Sequence, residues 1–382
     1  MSVSQGEGRL EFKNLLVGDV WVCSGQSNMY VPLRDSDGAR EEIARSGNDK
    51  LRLFFIDPFP TDKDHPKEPY DFVDGNWNVS GPKTVDGFTA VGYYFGQKLQ
   101  RELHVPIGLI ESTLGGTSAE RWTSRESMES NPELRDATEG QKYDLYNGLI
   151  APLTRFPIRG VIWYQGESNA PRGWKYRILL PALIQCWRDA WKIKDLPFLI
   201  VQLPGYDKVN KEPTESDWAD IREAQLYVSQ SVPNAGLAVT TDLGDEKEIH
   251  PRRKRQVGER LALVALAKVH DYDIAYSGPI FQKMDVRGGA IVLHFNHVGK
   301  GLEAKDGPLT GFTIAGEDRQ FQNAEARIEG NTVVVQSDQV PKPIAARYGW
   351  AKNPQVNLWN RDGLPASPFR TDDFPLPTRD NK

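Results

Sequence analysis

Residues 16–29 have the sequence LVGDVWVCSGQSNM, in which an apolar run ends at Cys23 and a small polar turn follows at once. The run has the length of a buried strand, and Gly25 permits the tight backbone turn that carries a strand into a helix. Short apolar runs alternate with amphipathic stretches in the same way from residue 15 to about residue 269. This alternation predicts a parallel sheet with helices on both faces.

Six short apolar runs, each bounded by turn or polar residues, are the strand candidates of this sheet. They are residues 16–23, 51–56, 107–111, 161–164, 198–202 and 236–240. Apolar residues recur at helical spacing in three longer stretches, residues 176–191, 218–230 and 253–269. We therefore expect an α/β domain with a doubly wound, mainly parallel sheet over residues 9–276.

The chain changes character after residue 276. β-branched runs split by Gly, Asp and Asn occur at residues 290–295, 324–329 and 332–336, which predicts a smaller β-rich C-terminal module over residues 277–346. Residues 347–382 are rich in proline and aromatic residues and cannot be regular for long. We expect this tail to pack as an extended segment over the α/β domain.

Composition and charge exclude several classes of protein. Hydrophobic residues make up 39% and charged residues 26%, which is typical of soluble globular proteins. No apolar stretch approaches the roughly 20 residues of a membrane span. The net charge of -5 argues against a nucleic-acid partner, and the basic run at residues 252–255 is interpreted as a solvated helix face.

The two cysteines, Cys23 and Cys186, are too few for a disulfide framework and are interpreted as buried thiols. Residues 1–8 lack the charged and then apolar pattern of a secretion signal. The compartment stays open, with a secreted or periplasmic location expected for the native form. The sequence also leaves the oligomeric state open.

Three polar clusters directly follow strand candidates, where ligands bind in open α/β sheets. They are residues 24–29, 165–169 and 242–251. Together they bring a hydroxyl, an imidazole, carboxylates and amides to one edge of the sheet. Each cluster alone could be explained by helix capping or ion pairing, but three at three strand ends indicate a functional site.

Ser27 and His250 are the candidate nucleophile and base of this site. A serine hydroxyl is weakly nucleophilic until a neighbouring base takes its proton. Ser27 lies where a strand turns into a helix, so its backbone N–H would point at a developing oxyanion. His250 precedes Pro251 and is expected at a helix start, where the helix dipole keeps the imidazole neutral.

The same motifs resemble the sialate O-acetylesterase-like branch of the SGNH/GDSL hydrolases. The matching blocks are residues 18–21, 24–29, 163–169 and 249–251, and similarity continues through residues 311–318, 347–350, 357–360 and 363–372. The resemblance implies a flavodoxin-like three-layer sandwich and an esterase that removes acetyl groups from carbohydrate through an acetyl-enzyme on Ser27. Members of the branch often carry a β-rich segment before the first block, so we expect a minimal or truncated form.

The resemblance also implies the groups around the nucleophile. The oxyanion donors by position are the backbone N–H of Ser27, a glycine N–H at Gly116, and the side-chain amide of Gln165. SGNH enzymes place Asn near the position of Glu167, so Glu167 is expected to orient its neighbours rather than to donate. Asn28 is expected to support the site beside it.

The acid of the triad departs from the family pattern. SGNH enzymes commonly carry Asp three residues before the histidine, and Lys247 stands there. Glu248 is the first candidate for the group that orients His250. Asp242 is the second candidate and Asp245 is the third.

The resemblance leaves the acetylated sugar open between O-acetylated sialic acid and a plant polysaccharide such as xylan, and we lean toward the latter. Polar and stacking side chains are candidate sugar contacts, although those in the tail could instead anchor it. They are Arg121, Trp122, Arg347, Trp350 and Arg370. We expect no metal or cofactor, because no His-x-x-x-His pair or paired cysteine spacing occurs. The alternatives are a general lipase or thioesterase of the same superfamily and a non-catalytic carbohydrate-binding relative.

Overall fold

The computed structural model describes residues 1–6, 8–56, 66–137 and 142–381. A hairpin of β1 (Ser2–Gln5) and β2 (Gly8–Glu11) comes first. Seven strands of the described chain then form a central sheet in the order β5-β4-β6-β3-β7-β8-β9. They are β3 (Asp19–Gly25), β4 (Asn48–Ile56), β5 (Gly75–Ser80), β6 (Ile107–Thr113), β7 (Gly160–Tyr164), β8 (Phe198–Val201) and β9 (Ala235–Ala238).

The central sheet confirms the predicted fold class. Its neighbouring strands pair in parallel except β5, which pairs antiparallel with β4 at one edge. All six strand candidates form strands, with ends shifted by a few residues. The strand β5 was not predicted, because its sequence GNWNVS is mostly exposed and lacks an apolar run. An edge strand needs only one neighbour and therefore carries a weak sequence signal.

Eight α-helices lie in the described ranges. They are α1 (Ser27–Tyr30), α2 (Ala39–Ala44), α3 (Pro82–Val85), α4 (Ala90–Leu103), α5 (Arg125–Ser130), α6 (Gly173–Trp191), α7 (Asp217–Ser231) and α8 (Lys254–Val269). Helix α4, which was not predicted, packs against α8, and α6 packs against α7. Within the described chain, no helix is both long and apolar enough to cross a membrane.

The two helix pairs cover opposite faces of the sheet. The Trp21 ring on β3 lies 5.0 Å from the Phe95 ring of α4. On the neighbouring strand, Trp163 pairs with Ser24 and its ring lies 5.8 Å from Trp187 of α6. Because successive side chains along a strand alternate between faces, Trp21 and Trp163 point in opposite directions. The result is a three-layer sandwich.

Eleven further strands are described after residue 279, and they form three small antiparallel sheets. They are β10 (Ile280–Arg287), β11 (Ala290–Asn296), β12 (Leu302–Ala304), β13 (Phe312–Ala315), β14 (Gln322–Asn323), β15 (Glu325–Glu329), β16 (Thr332–Gln336), β17 (Ala345–Tyr348), β18 (Leu358–Asn360), β19 (Leu364–Pro365) and β20 (Phe369–Arg370). The smaller β-rich region is thus present, as predicted.

The end of the β-rich region differs from the expected boundary at residues 346 and 347. That boundary falls inside β17, which pairs with β20 in the expected tail. The Phe369 ring stacks on Phe281 at 4.7 Å and belongs to the same apolar core. Residues up to Arg370 therefore complete the β-rich region, and the residues beyond it run over the α/β domain, where the Thr378 hydroxyl donates to Asp220 at 2.7 Å. The division at residues 276 and 277 stays a prediction.

Candidate active site

Ser27 is the first residue of α1, directly beyond the end of β3. Gly25 has φ +137°, and a Cβ there would come within 2.1 Å of the Tyr164 carbonyl oxygen, so the close approach of β3 to β7 requires glycine. The Gln26 N–H donates to that same carbonyl at 3.0 Å. Because Ser27 begins the helix, its N–H has no acceptor within α1 and is available to an oxyanion.

The loop after β6 lies against Ser27. The Leu114 N–H donates to the Gly25 carbonyl at 3.2 Å, which holds the loop to the end of β3. A Cβ added at Gly115 would lie 3.5 Å from the Ser27 Cβ. Gly116 has φ +68°, and an added Cβ there would meet none of the described atoms within 4 Å. The two glycines therefore bring backbone close to the serine while leaving open space beside it.

Gln165 is fully buried, and its side chain joins three loops instead of facing the open space. Its Nε2 donates to the Gln26 side chain at 3.1 Å, to the Thr117 carbonyl at 3.1 Å and to the Asn169 side chain at 2.7 Å. Its Oε1 accepts from the Tyr176 hydroxyl at 2.7 Å. Because both amide hydrogens already face protein acceptors, this geometry argues against the expectation that Gln165 donates to an oxyanion.

Asn28 and Glu167 form a buried network beside Ser27. The Asn28 Nδ2 donates to the Glu167 Oε1 at 2.6 Å and to the Ile249 carbonyl at 2.9 Å. The Asn28 Oδ1 accepts from the ammonium of Lys254. Burial raises the pKa of Glu167, against the lowering effect of the Asn28 hydrogen bond. The network joins the serine turn, the loop after β7 and the segment that carries His250.

Lys254 is a member of this network that sequence reasoning missed. Its side chain is fully buried, which corrects the interpretation of residues 252–255 as a solvated helix face. Burial lowers the pKa of Lys254 to about 7, while the charges of Glu167 and Glu248 act in the opposite direction. Its ammonium lies 5.1 Å from the centre of the Tyr164 ring, a cation–π contact.

His250 lies in the loop before α8, and its first neighbour is Glu248. The Glu248 Oε1 lies 3.2 Å from the His250 Nδ1 and accepts from the His250 backbone N–H at 2.8 Å. The imidazole is 39% exposed and the carboxylate 54% exposed, so both face open space. Helix α8 begins at Lys254, which contradicts the expectation that His250 stands at a helix start.

The other two candidate acids are engaged elsewhere. Asp242 makes a two-pronged ion pair with Arg260, with N···O distances of 2.6 and 2.8 Å. Asp245 accepts the backbone N–H groups of Lys247 and Glu248 at 2.8 and 3.1 Å, and these hydrogen bonds lower its pKa. The geometry therefore favours Glu248 as the partner of His250.

Arg121 and Trp122 do not offer a free sugar-binding surface. The Trp122 side chain is 0% exposed, its Nε1 donates to the Thr117 hydroxyl at 3.0 Å, and its ring packs edge-on to Trp163. The Arg121 guanidinium forks onto Asp144 at 3.0 and 2.6 Å. A ring without exposed area cannot stack on a sugar, so the expectation for Trp122 is wrong.

Arg347, Trp350 and Arg370 have little exposed side chain and anchor the tail, which argues against the expectation that they line a sugar pocket. Arg347 is 3% exposed and binds Asp372 at 2.9 and 3.0 Å. The Trp350 ring lies 4.9 Å from the Arg347 guanidinium and 5.8 Å from that of Arg370. Arg370 binds Glu223 on α7 at 2.7 Å. These contacts hold the end of the β-rich region to the α/β domain.

The groups at this edge of the sheet have the chemistry that acyl transfer requires. A hydroxyl, an imidazole with an adjacent carboxylate, and backbone N–H groups beside two glycines supply a nucleophile, a base and oxyanion donors. Among the described residues, no three His, Cys, Asp or Glu side chains lie close enough together to hold a metal ion.

Comparison with known proteins identifies the family of this chain. Residues 17–267 match the family described as "Carbohydrate esterase, sialic acid-specific acetylesterase". The chain is 30% identical to the sialate O-acetylesterase of Pongo abelii over 94% of this chain and 76% of that protein, and 29% identical to the human sialate O-acetylesterase over the same shares.

A solved structure extends the likeness to the whole fold. The crystal structure of a carbohydrate acetylesterase from Xanthomonas citri superposes with a TM-score of 0.89 at 40% identity, covering 97% of this chain and 84% of that one. The family matches more than half of the chain, and the fold agrees with that of the solved carbohydrate acetylesterase. The chain therefore belongs to the sialic acid-specific acetylesterase family of carbohydrate esterases and is a carboxylic ester hydrolase that acts on O-acetyl groups.

Proposed function

We propose that the chain hydrolyses O-acetyl esters of carbohydrate through an acetyl-enzyme on Ser27, with His250 as base and Glu248 as the group that orients it. The contact between the Glu248 carboxylate and the His250 Nδ1 at 3.2 Å carries this proposal. A carboxylate on Nδ1 holds the proton there, which leaves Nε2 free to accept the proton of the serine. The Asn28 hydrogen bond to the Ile249 carbonyl supports it, because it joins the residue after Ser27 to the residue before His250.

The proposed reaction has two steps. In the first, a bond forms between the Ser27 Oγ and the acetyl carbon, His250 takes the hydroxyl proton, and the ester bond breaks as that proton passes to the departing sugar oxygen. In the second, His250 takes a proton from water as the water oxygen attacks the acetyl carbon. The bond to the Ser27 Oγ then breaks as that proton passes to Oγ, and acetic acid leaves and releases its own proton to solvent. We assign oxyanion stabilisation to the backbone N–H groups of Ser27 and Gly116, because Gln165 is engaged within the protein.

The proposed substrate is a sugar that carries the acetyl ester as part of a larger carbohydrate. The exposure of His250 and Glu248 supports this choice, since an open site admits a bulky acetylated chain. The names of the relatives leave two classes, acetylated sialic acid and other acetylated carbohydrate. We retain the preference for polysaccharide fragments such as acetylated xylan.

The test compares the purified protein with the Ser27→Ala variant on nitrophenyl acetate, and then on acetylated xylan beside 9-O-acetylated sialic acid. We expect nitrophenol release to fall by about 10³-fold or more in Ser27→Ala. We expect acetate release to be faster from xylan than from the sialic acid. Equal nitrophenol release by the two proteins would overturn the assignment of Ser27, and faster release from the sialic acid would reverse the choice of substrate.

A further inference from the structure

A fully buried lysine, Lys254, lies close to the candidate nucleophile and donates to a side-chain amide. Lys254 begins α8, and its ammonium donates to the Asn28 Oδ1. The free energy of transferring an ammonium from water into a protein interior is unfavourable by several kcal/mol. If this lysine only filled space, the fold would be more stable with an apolar side chain of similar volume in its place. The burial of Lys254 therefore needs another explanation.

The hydrogen-bonding capacities of the groups around Asn28 fix the orientation of its amide. An ammonium has three donors and no acceptor, so the charged form of Lys254 requires the oxygen of the amide on its side. A carboxylate and a carbonyl are acceptors, so the nitrogen must face Glu167 and Ile249, as the distances of 2.6 and 2.9 Å show. Both Nδ2 hydrogens are thereby engaged. If the amide turned over, its oxygen would face two acceptors and its nitrogen would face an ammonium.

The orientation of the Asn28 amide affects the position of His250, the proposed base. The Ile249 carbonyl belongs to the peptide bond that leads into His250, and the Asn28 hydrogen bond ties that peptide to the residue next to Ser27. The same loop is also held by the contacts of His250 with Glu248, which is half exposed, and by the Asp37 N–H, which donates to the Arg252 carbonyl at 3.0 Å. The Asn28 amide is thus a buried link between the nucleophile turn and the base.

We propose that Lys254 is a positioning residue for ester hydrolysis, whose ammonium fixes the Asn28 amide so that it holds the Ile249 carbonyl, and with it His250, beside Ser27. This inference rests on the proposed function of Ser27 and His250. Lys254 does not touch the substrate. It acts through Asn28, and its removal is expected to displace the base rather than to abolish binding.

The experiment is a double-mutant cycle in nitrophenyl acetate hydrolysis with Lys254→Met, Asn28→Ala and the double variant. We expect Lys254→Met to lower kcat by about 10- to 100-fold with KM within about twofold, because a misplaced base slows chemistry and leaves binding intact. In the Asn28→Ala background the same substitution is expected to change kcat by less than about twofold, since the link is already lost. Lys268→Met, at the other end of α8, is the matched control and is expected to keep the wild-type kcat.

The outcomes separate this inference from the proposed function. If Ser27→Ala is inactive but Lys254→Met keeps the wild-type kcat, the role of Lys254 is overturned while the esterase mechanism stands. Fully multiplicative effects of Lys254→Met and Asn28→Ala would also overturn it, because the lysine would then act independently of the amide. If Ser27→Ala is as active as wild type, the proposed function fails first. If Lys254→Met does not fold by circular dichroism, the cycle is run with Lys254→Leu, which also removes the donor, and is decided by the same criterion of non-additivity.

Discussion

Two polar clusters in this molecule contain residues that the sequence marked as site candidates. They differ in how their charged groups are paired. The tail cluster, Arg347 and Arg370 with Asp372, Glu215 and Glu223, pairs each guanidinium with two carboxylates, and both guanidiniums are almost completely buried. The serine cluster, defined as Ser27, Asn28, Glu167, His250 and Lys254, is buried at one end and opens at His250 and Ser27 toward solvent.

This difference separates anchoring from chemistry. In the tail cluster the strong donors end on carboxylates or carbonyls of the protein, so the cluster has little capacity left for a ligand. In the serine cluster the buried amides and charges hold backbone, and the groups capable of acyl transfer face open space. Buried charges that are fully ion-paired therefore indicate a structural contact. A buried hydrogen-bond network that ends at exposed reactive groups indicates a candidate site.

The largest expected effect concerns Glu248, at the open end of the serine cluster. Glu248→Gln should lower kcat by about 10³-fold, because a neutral amide neither fixes the imidazole tautomer nor stabilises the imidazolium. Its melting temperature should stay close to that of wild type, since the carboxylate is half exposed. Asp242→Asn is the matched comparison and should mainly lower stability through its lost pairing with Arg260. A larger loss of kcat in Asp242→Asn would move the orienting role to Asp242.

The second prediction breaks the tail cluster. Arg347→Met leaves the buried Asp372 carboxylate with a weaker set of partners and should lower the free energy of unfolding by about 3 kcal/mol, measured by urea denaturation. Its kcat and KM for acetylated xylan should match the wild type. Arg327→Met, on the exposed strand β15, is the control and should cost less than about 1 kcal/mol. A raised KM with unchanged stability in Arg347→Met would indicate instead that Arg347 contacts the sugar.

The third and smallest effect concerns a buried carboxylate that belongs to neither cluster. Glu111 on β6 accepts the Thr89 N–H at 2.8 Å and the Thr113 hydroxyl at 3.2 Å, and burial raises its pKa to about 8. The folded protein thus holds this proton up to a higher pH than the unfolded chain, so the contribution of Glu111 to stability is complete below about pH 4.5 and is lost as the pH rises through about 8.

The Glu111→Gln variant tests this pH dependence. Between pH 7 and 8.5 we expect the wild type to lose on the order of 1 kcal/mol of unfolding free energy relative to Glu111→Gln, which has no proton to lose. The measurement is urea denaturation of both proteins at pH 5, 7 and 8.5. Parallel pH profiles would mean that Glu111 is ionised in the folded state.

The parts of the fold that were predictable are those with a local signal. Short apolar runs bounded by turn residues correspond to the strands β3, β6, β7, β8 and β9. Both faces of these strands are covered, so most of their side chains must be apolar. The strand β5 and the helix α4 were missed. The strand β5 is mostly exposed. The helix α4 was not recognised, although most side chains in its N-terminal half are buried.

The site was predictable only in part, for a related reason. Ser27 and His250 stand in recognisable motifs at strand ends, but the burial of Lys254 depends on Asn28, which is 226 residues away in the chain. Likewise, Arg347 meets Glu215 at a separation of 132 residues. A local pattern does not report such partners, so a basic run looks solvated and an arginine beside a tryptophan looks like a sugar contact.

The most direct test of the account is to look for the acetyl group on Ser27. The protein is mixed with nitrophenyl acetate, quenched with acid within the first turnover, digested and analysed by mass spectrometry. We predict one acetyl group on the peptide that contains Ser27, and none on that peptide in Ser27→Ala. An active enzyme that shows no acetylated Ser27 under these conditions, or carries the acetyl group on another residue that turns over at the catalytic rate, would contradict the proposed mechanism.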